Sequence, residues 1–110
     1  MAHAMTVVLV GSMREFEIAE ADLAPILGVS KAYISELNRG DRELAFDSLA
    51  YERSVLFVRV LDAIAATTGG ASVHDMLYEN FNALGGRPIR LMRTPRELHN
   101  VVHYFESFAH

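Results

Sequence analysis

The stretch from Leu23 to Gly40 constrains the fold most, because it joins two short amphipathic segments that each end at a glycine. Gly28 stands where the first helix should end, since glycine adopts the left-handed conformation after a helix without a Cβ penalty. Ser30 follows as a natural N-cap, and Gly40 marks a second helix end. We predict a second helix from about Lys31 to Asn38 and a helix-turn-helix over the whole stretch.

The outer face of this second helix is polar. If it lies in a DNA major groove, its N-terminal side chains face base edges, and serines and arginines hold phosphates. Tyr33 can contact a sugar or a thymine methyl, but it can equally pack back on Leu27 or Val29. The alternative for the motif is an ordinary helical hairpin with a solvated face. The predicted DNA-binding residues are Ser30, Lys31, Ala32, Tyr33, Ser35, Asn38, Arg39 and Arg42.

Length and composition indicate the class of protein. At 110 residues with 51% apolar composition, the chain can bury one compact core. It contains no cysteine, which excludes disulfides and thiolate metal sites and suits a reducing compartment. Arg59 and Asp62 interrupt the longest apolar run, so no membrane-spanning segment is predicted. We therefore expect a soluble, cytoplasmic protein that does not interact with a membrane.

The net charge of −4 excludes nucleic-acid binding by bulk electrostatics. Any basic DNA-binding surface must therefore be local. The segment from Lys31 to Arg42 contains three cations and two acids, Glu36 and Asp41. One copy would hold DNA weakly, so we expect a dimer or a larger assembly with two DNA-reading helices.

The predicted organisation is all-α, with a leader and an uncertain first element over residues 1–14 and the helix-turn-helix module over residues 15–48. Met1 to Met5 is expected to be poorly ordered. Thr6 to Val10 is β-branched, which favours a strand, whereas an all-helical context favours a helix; both remain open. Phe16 to Leu27 should contain the first helix of the motif, either starting just before Pro25 or kinked by it.

Residues 49–110 form the third region, a long central helix followed by a small C-terminal helical element. Leu49 to Ala66 is apolar on more than one face, so we expect it both to form the core and to join subunits. Asp47 or Ser48 can cap it, and Thr67 to Ala71 ends it with a turn. Ser72 or His74 begins the next segment, whose apolar stripe is Met76, Leu77, Phe81 and Leu84.

The end of the chain predicts one more short turn and one more helix. Ile89 to Met92 can form a short helical turn, and Thr94 caps a final helix with Pro95 at its favoured first position. We expect that helix to bury Leu98, Val101, Val102, Phe105 and Phe108.

A glycine-proline corner precedes that final helix. It consists of Leu84, Gly85, Gly86, Pro88 and, with altered spacing, Leu91. In this form it resembles the Leu-Gly-Gly-x-x-Pro-x-x-Leu-like pattern in the C-terminal toxin-binding segment of the Xre/MbcA/ParS antitoxins. With the helix-turn-helix, the resemblance covers roughly Leu23 to Phe108. It implies a type II antitoxin that binds a cognate toxin, commonly a RES-domain enzyme that consumes NAD, and that represses its own operon by binding operator DNA.

The residues of the corner agree with a binding role. Two glycines and a proline make a rigid backbone that a partner can approach closely, and three arginines project cations around it, which suits an acidic or nucleotide-binding cleft. The alternative is a plain connection between helices with solvated arginines. The predicted toxin-binding residues are Leu84, Gly85, Gly86, Arg87, Pro88, Arg90 and Arg93. The expected assembly is a homodimer or a toxin–antitoxin hetero-oligomer.

Catalysis finds little support in the sequence. There is no cysteine nucleophile, no phosphate-cradling loop between a strand and a helix, and no evident Ser-His-Asp order. His99 and His103 share a helix face but have no clear third ligand, so we predict no metal and no cofactor. We expect no enzyme activity. The alternatives to an antitoxin are a stand-alone helix-turn-helix transcriptional regulator and an interaction module that has lost DNA binding.

Overall fold

The computed structural model describes residues 2–68 and 72–108. Within these residues the chain is all-α, as predicted, and its only extended pairing is an isolated bridge between Phe81 and Gly86. A 3₁₀ turn at Pro88–Arg90 lies between the last two helices. The α-helices are α1 (Ala2–Glu15), α2 (Glu20–Leu27), α3 (Lys31–Arg39), α4 (Leu49–Thr68), α5 (Val73–Tyr78) and α6 (Pro95–Glu106).

Helix α4 is the centre of the fold. It packs against α1, α2, α5 and α6, and its Phe57, Val60 and Ile64 are completely buried. Apolar side chains occupy several of its faces because neighbouring helices cover those faces. Ser48 caps it, accepting a hydrogen bond from the backbone N–H of Tyr51 at 3.1 Å. The predicted long helix is confirmed, although it continues to Thr68; residues 69–71 of the predicted turn lie outside the described residues.

Helix α1 shows that packing outweighs local propensity at the N-terminus. Thr6 to Val10 is helical, because Leu9 and Met13 fill the core beside α4 and the Thr6 hydroxyl accepts a hydrogen bond from the Leu44 N–H at 2.9 Å. The strand alternative is therefore wrong. Residues 2–5, part of the segment expected to be poorly ordered, belong to α1, whereas Met1 lies outside the described residues.

Helix α2, Glu20–Leu27, lies within the stretch predicted to contain it. It begins five residues before Pro25, so the proline lies inside the helix. A proline there leaves the carbonyl of Ala21 without its helical donor, and Ala21 is exposed, so water can satisfy that oxygen.

The C-terminal element is more irregular than predicted. Helix α5 ends at Tyr78, so Phe81 and Leu84 of the predicted stripe lie beyond it. Two backbone hydrogen bonds between Phe81 and Gly86, of 2.9 and 3.2 Å, close a turn over residues 82–85. The predicted turn at Ile89 to Met92 corresponds to the 3₁₀ turn, which starts one residue earlier.

Helix α6 follows the prediction closely. The Thr94 hydroxyl accepts a hydrogen bond from the Glu97 N–H at 3.2 Å, which confirms the cap. Four of its predicted core residues are buried, namely Leu98, Val101, Val102 and Phe105. The prediction that Phe108 is buried is wrong: it lies beyond the end of the helix and is 59% exposed. Among the described residues, no helix is both long and apolar enough to cross a membrane.

Candidate nucleic-acid interface

The turn between α2 and α3 has the geometry that its residues predict. Gly28 has φ of 72°, and the end of α2 is closed by the backbone N–H of Gly28, which donates to the Pro25 carbonyl, and by that of Val29, which donates to the Ala24 carbonyl. The Ser30 hydroxyl accepts a hydrogen bond from the Tyr33 N–H at 3.1 Å and so caps α3. Gly40 ends α3 with φ of 82°. Both ends of α3 are thus capped by the predicted residues.

The apolar sides of α2 and α3 meet in the core, where Leu23, Leu27, Ile34 and Leu37 are buried. This packing turns the N-terminal turn of α3 outward. Ser30, Lys31 and Ala32 are exposed, and Tyr33 is half-buried. These four residues form the open face of the motif.

Ser35 and Asn38, in contrast, are held inside the motif. Both donate to the carboxylate of Glu20 at the start of α2, Ser35 at 2.6 Å and Asn38 at 3.1 Å. These two hydrogen bonds, the serine's first, hold the pKa of Glu20 below its usual range. Arg14 of α1 donates to the side chain and the backbone carbonyl of Asn38, at 3.1 and 2.7 Å. These contacts fix α3 to α2 and α1.

Arg39 and Arg42 are exposed but have acidic partners. Arg39 pairs with Asp41 at 3.0 Å, and Arg42 pairs with Glu36 at 2.7 Å. The guanidinium of Arg42 also lies 4.5 Å from the centre of the Tyr33 ring. Among the predicted cations, Lys31 is the one that forms no ion pair with any described residue, although its charge helps to lower the pKa of the Glu20 carboxyl.

The glycine-proline corner separates a buried anchor from an exposed cationic rim. Pro88 is buried with Ile89, and Leu84 and Gly86 are half-buried, whereas Gly85 is exposed at φ of 84°. The corner therefore has an accessible surface, although its proline faces the core.

The cations of this corner extend further than predicted. Arg87, Arg90 and Arg93 are exposed and form no ion pair within the described part of the chain. Arg96 at the start of α6 is a fourth exposed arginine of the same kind, and the ten residues from Arg87 to Arg96 contain no acid. The missed signal was the regular spacing of three that continues to Arg96.

Sequence reasoning also missed Arg53 of α4. Its guanidinium lies against Gly28, where a Cβ on residue 28 would collide with Nη1. Since Arg53 lies inside a predicted core helix, its sequence context offers no hint of this contact with the turn.

The remaining polar residues are a hydrogen-bonded group between α5 and α2 and two exposed histidines on α6. Burial raises the pKa of Tyr78, whose hydroxyl donates to Asp22 at 2.7 Å and accepts from the Ala19 N–H at 3.3 Å, joining α5 to α2. His99 and His103 are exposed on α6. Across residues 2–68 and 72–108, no three His, Asp or Glu side chains gather closely enough to hold a metal ion.

Comparison of the chain with protein-family models gives no match, and comparison with curated proteins gives none either.

Proposed function

We propose that this protein is an antitoxin that neutralises a cognate toxin and represses its own operon by binding operator DNA. The observation that carries the proposal is the open face of α3, a doubly capped helix whose N-terminal turn carries Lys31, which forms no ion pair with a described residue, beside the small Ala32. A small residue lets the helix approach base edges closely, and an adjacent cation contacts a phosphate. Ser35 and Asn38 act in this proposal as supports of α3.

Operator binding requires two copies, because one open face carries little charge in a protein of net charge −4. The exposed face of α1 is suited to this, since Ala4, Val7, Val8 and Gly11 lie on one side of the helix and are exposed. Arg14 binds the end of α3, so a dimer formed through α1 would fix the distance between two reading helices. The joining role predicted for α4 remains a prediction, although the protein's own helices already cover most of its apolar surface.

Toxin binding is proposed at the arginine-rich corner. Its exposed guanidinium groups are available for carboxylates or phosphates, because they have no acidic partners among the described residues. The family resemblance implies a toxin that consumes NAD, and carboxylates in the active-site cleft of such an enzyme would pair with these cations. Neutralisation would be steric, with the corner covering or entering the active site of the toxin.

Two experiments test these roles separately. A gel shift with the DNA upstream of the gene, at several salt concentrations, should give a shifted complex that weakens as salt increases. Co-expression with the product of the neighbouring gene should yield a stable complex and relieve its toxicity. Absence of any complex with the neighbouring product would refute the antitoxin role.

A second candidate is an interaction module without DNA binding. The pairing of Arg39 with Asp41 and of Arg42 with Glu36 favours it, because compensated arginines attract phosphate weakly. A stand-alone regulator lies between the two proposals, since it binds DNA without a toxin. The gel shift separates the interaction module, which does not bind DNA, from the antitoxin and the stand-alone regulator, which do. The co-expression experiment separates the antitoxin, which binds a toxin, from the stand-alone regulator.

A further inference from the structure

Arg53 is electrostatically unusual in this molecule. Among the ten lysines and arginines, all of which lie in the described residues, it alone is half-buried and the other nine are exposed. Its Nε is completely buried without a hydrogen-bond partner, and its side chain forms no ion pair within the described chain. Burying the Nε–H donor without an acceptor is unfavourable, and the guanidinium has four further N–H donors on its two Nη atoms. An anion bound to these Nη groups would offset the penalty.

An open groove of about 390 Å³ lies beside this side chain. Gly28 and Tyr33 line it from the helix-turn-helix, and Ser48 and Leu49 line it at the start of α4. The groove therefore adjoins the open face of α3, which is the side proposed to meet DNA.

The charges around the groove favour an anion. Arg53 and Arg42 both line the groove, and Arg42 forms an ion pair with Glu36 at 2.7 Å. The acid among the lining residues is Glu43, which is exposed and contacts His3 at 2.8 Å. The groove also adjoins the N-terminus of the 20-residue helix α4, whose dipole adds to the positive potential.

We infer that Arg53 holds a backbone phosphate of the bound DNA in this groove. The inference rests on the proposed operator binding and adds a phosphate contact outside the reading helix. The Nη groups of Arg53 donate to this phosphate, and the phosphate positions the duplex against Lys31 and Ala32 without reading sequence. Gly28 has a second role here, since the absence of a side chain at this position leaves room for the guanidinium.

The test compares DNA binding by Arg53→Gln and Arg59→Gln across a range of salt concentrations. Both variants remove one positive charge from α4, but Arg59 is paired with Glu106 at 2.7 Å and does not line this groove. Arg53→Gln should bind about tenfold more weakly, and its log–log salt slope should fall by about 1 for each bound copy. Arg59→Gln should match the wild type. Equal behaviour of the two variants would overturn the inference.

Arg53→Lys provides a variant that keeps the charge and the aliphatic stem. It should retain most of the salt slope while losing part of the affinity, because lysine is a point charge without the guanidinium fork. Thermal unfolding of all three variants separates a loss of binding from a loss of fold. If Arg53→Gln does not fold, the test relies on Arg53→Lys and on the NMR signal of Arg53 in the wild type. The inference is overturned if Arg53→Lys binds DNA with wild-type affinity and an unchanged salt slope and the Arg53 signal does not shift with anions.

A direct probe distinguishes this inference from the proposed function. In the wild type, the NMR resonance of Arg53 Nε–H should shift when operator DNA is added, and more weakly with inorganic phosphate. If the wild type fails to bind DNA, the proposed function fails. A shift with inorganic phosphate alone would then overturn the assignment to DNA and leave a site for a free anion. If DNA binds and this resonance does not respond, the inference fails while the proposed function stands.

Discussion

Replacing Gly28 with alanine tests the structural account of the turn. At φ of 72°, a residue with a Cβ costs about 1–2 kcal/mol, because the left-handed conformation brings that carbon close to the following carbonyl. The new methyl would also displace the end of the Arg53 side chain. Since that side chain is flexible and unpaired, moving it should add little to the loss of stability.

Gly40→Ala is the matched control. Its φ of 82° imposes the same kind of backbone cost, but the space around its would-be Cβ is open within 4 Å. Urea unfolding followed by circular dichroism should therefore show losses of about 1–2 kcal/mol for both variants. DNA binding should weaken in Gly28→Ala but not in Gly40→Ala, because only the Gly28 variant displaces the Arg53 side chain. An unaffected stability in either variant, or a loss above about 4 kcal/mol at Gly28 alone, would refute this reasoning.

Three further predictions address other parts of the molecule. Val8→Glu on the exposed face of α1 should convert a dimer to a monomer in size-exclusion chromatography with light scattering, with unchanged helicity; a persistent dimer would exclude α1 as the interface. Arg90→Glu at the corner should abolish co-purification of the toxin without altering the melting temperature, and full retention would count against that site. Because the pKa of Glu20 is lowered in the folded protein, its ionised form stabilises the fold above the unfolded pKa, and this stabilisation is lost as pH falls through the folded pKa. In acid unfolding, Glu20→Gln should therefore lose less stability than the wild type as the pH falls below about 4.5. Identical acid profiles would contradict the role of the Glu20 hydrogen bonds in stability.

The helix-turn-helix was predictable because its signals are local. Gly28, Ser30 and Gly40 act through their own backbone conformations, and Thr94 does the same for α6, so each could be recognised without knowing the fold. The long central helix was predictable for a different reason: its apolar residues recur over a length that is typical of a helix and too long for a strand.

Features that depend on distant neighbours were not predictable. Residues 6–10 have a strand propensity, but they form a helix because packing of Leu9 in the core outweighs that propensity. Only the assembled fold shows this. Ser35 and Asn38 were assigned to the outer face because periodicity defines a face without saying which neighbour covers it. Glu20 and Arg14, which bind them, come from two other helices. Arg53 was missed for the same reason.

The central claim is that the N-terminal turn of α3 meets DNA. Its most direct test is fluorescence anisotropy with labelled operator DNA, comparing Lys31→Ala with Arg93→Ala over a range of salt concentrations. We predict that Lys31→Ala weakens binding and lowers the salt slope by about 1 per copy, whereas Arg93→Ala binds as the wild type does. The reverse result, with Arg93→Ala impaired and Lys31→Ala unaffected, would place DNA on the arginine-rich corner and contradict the account.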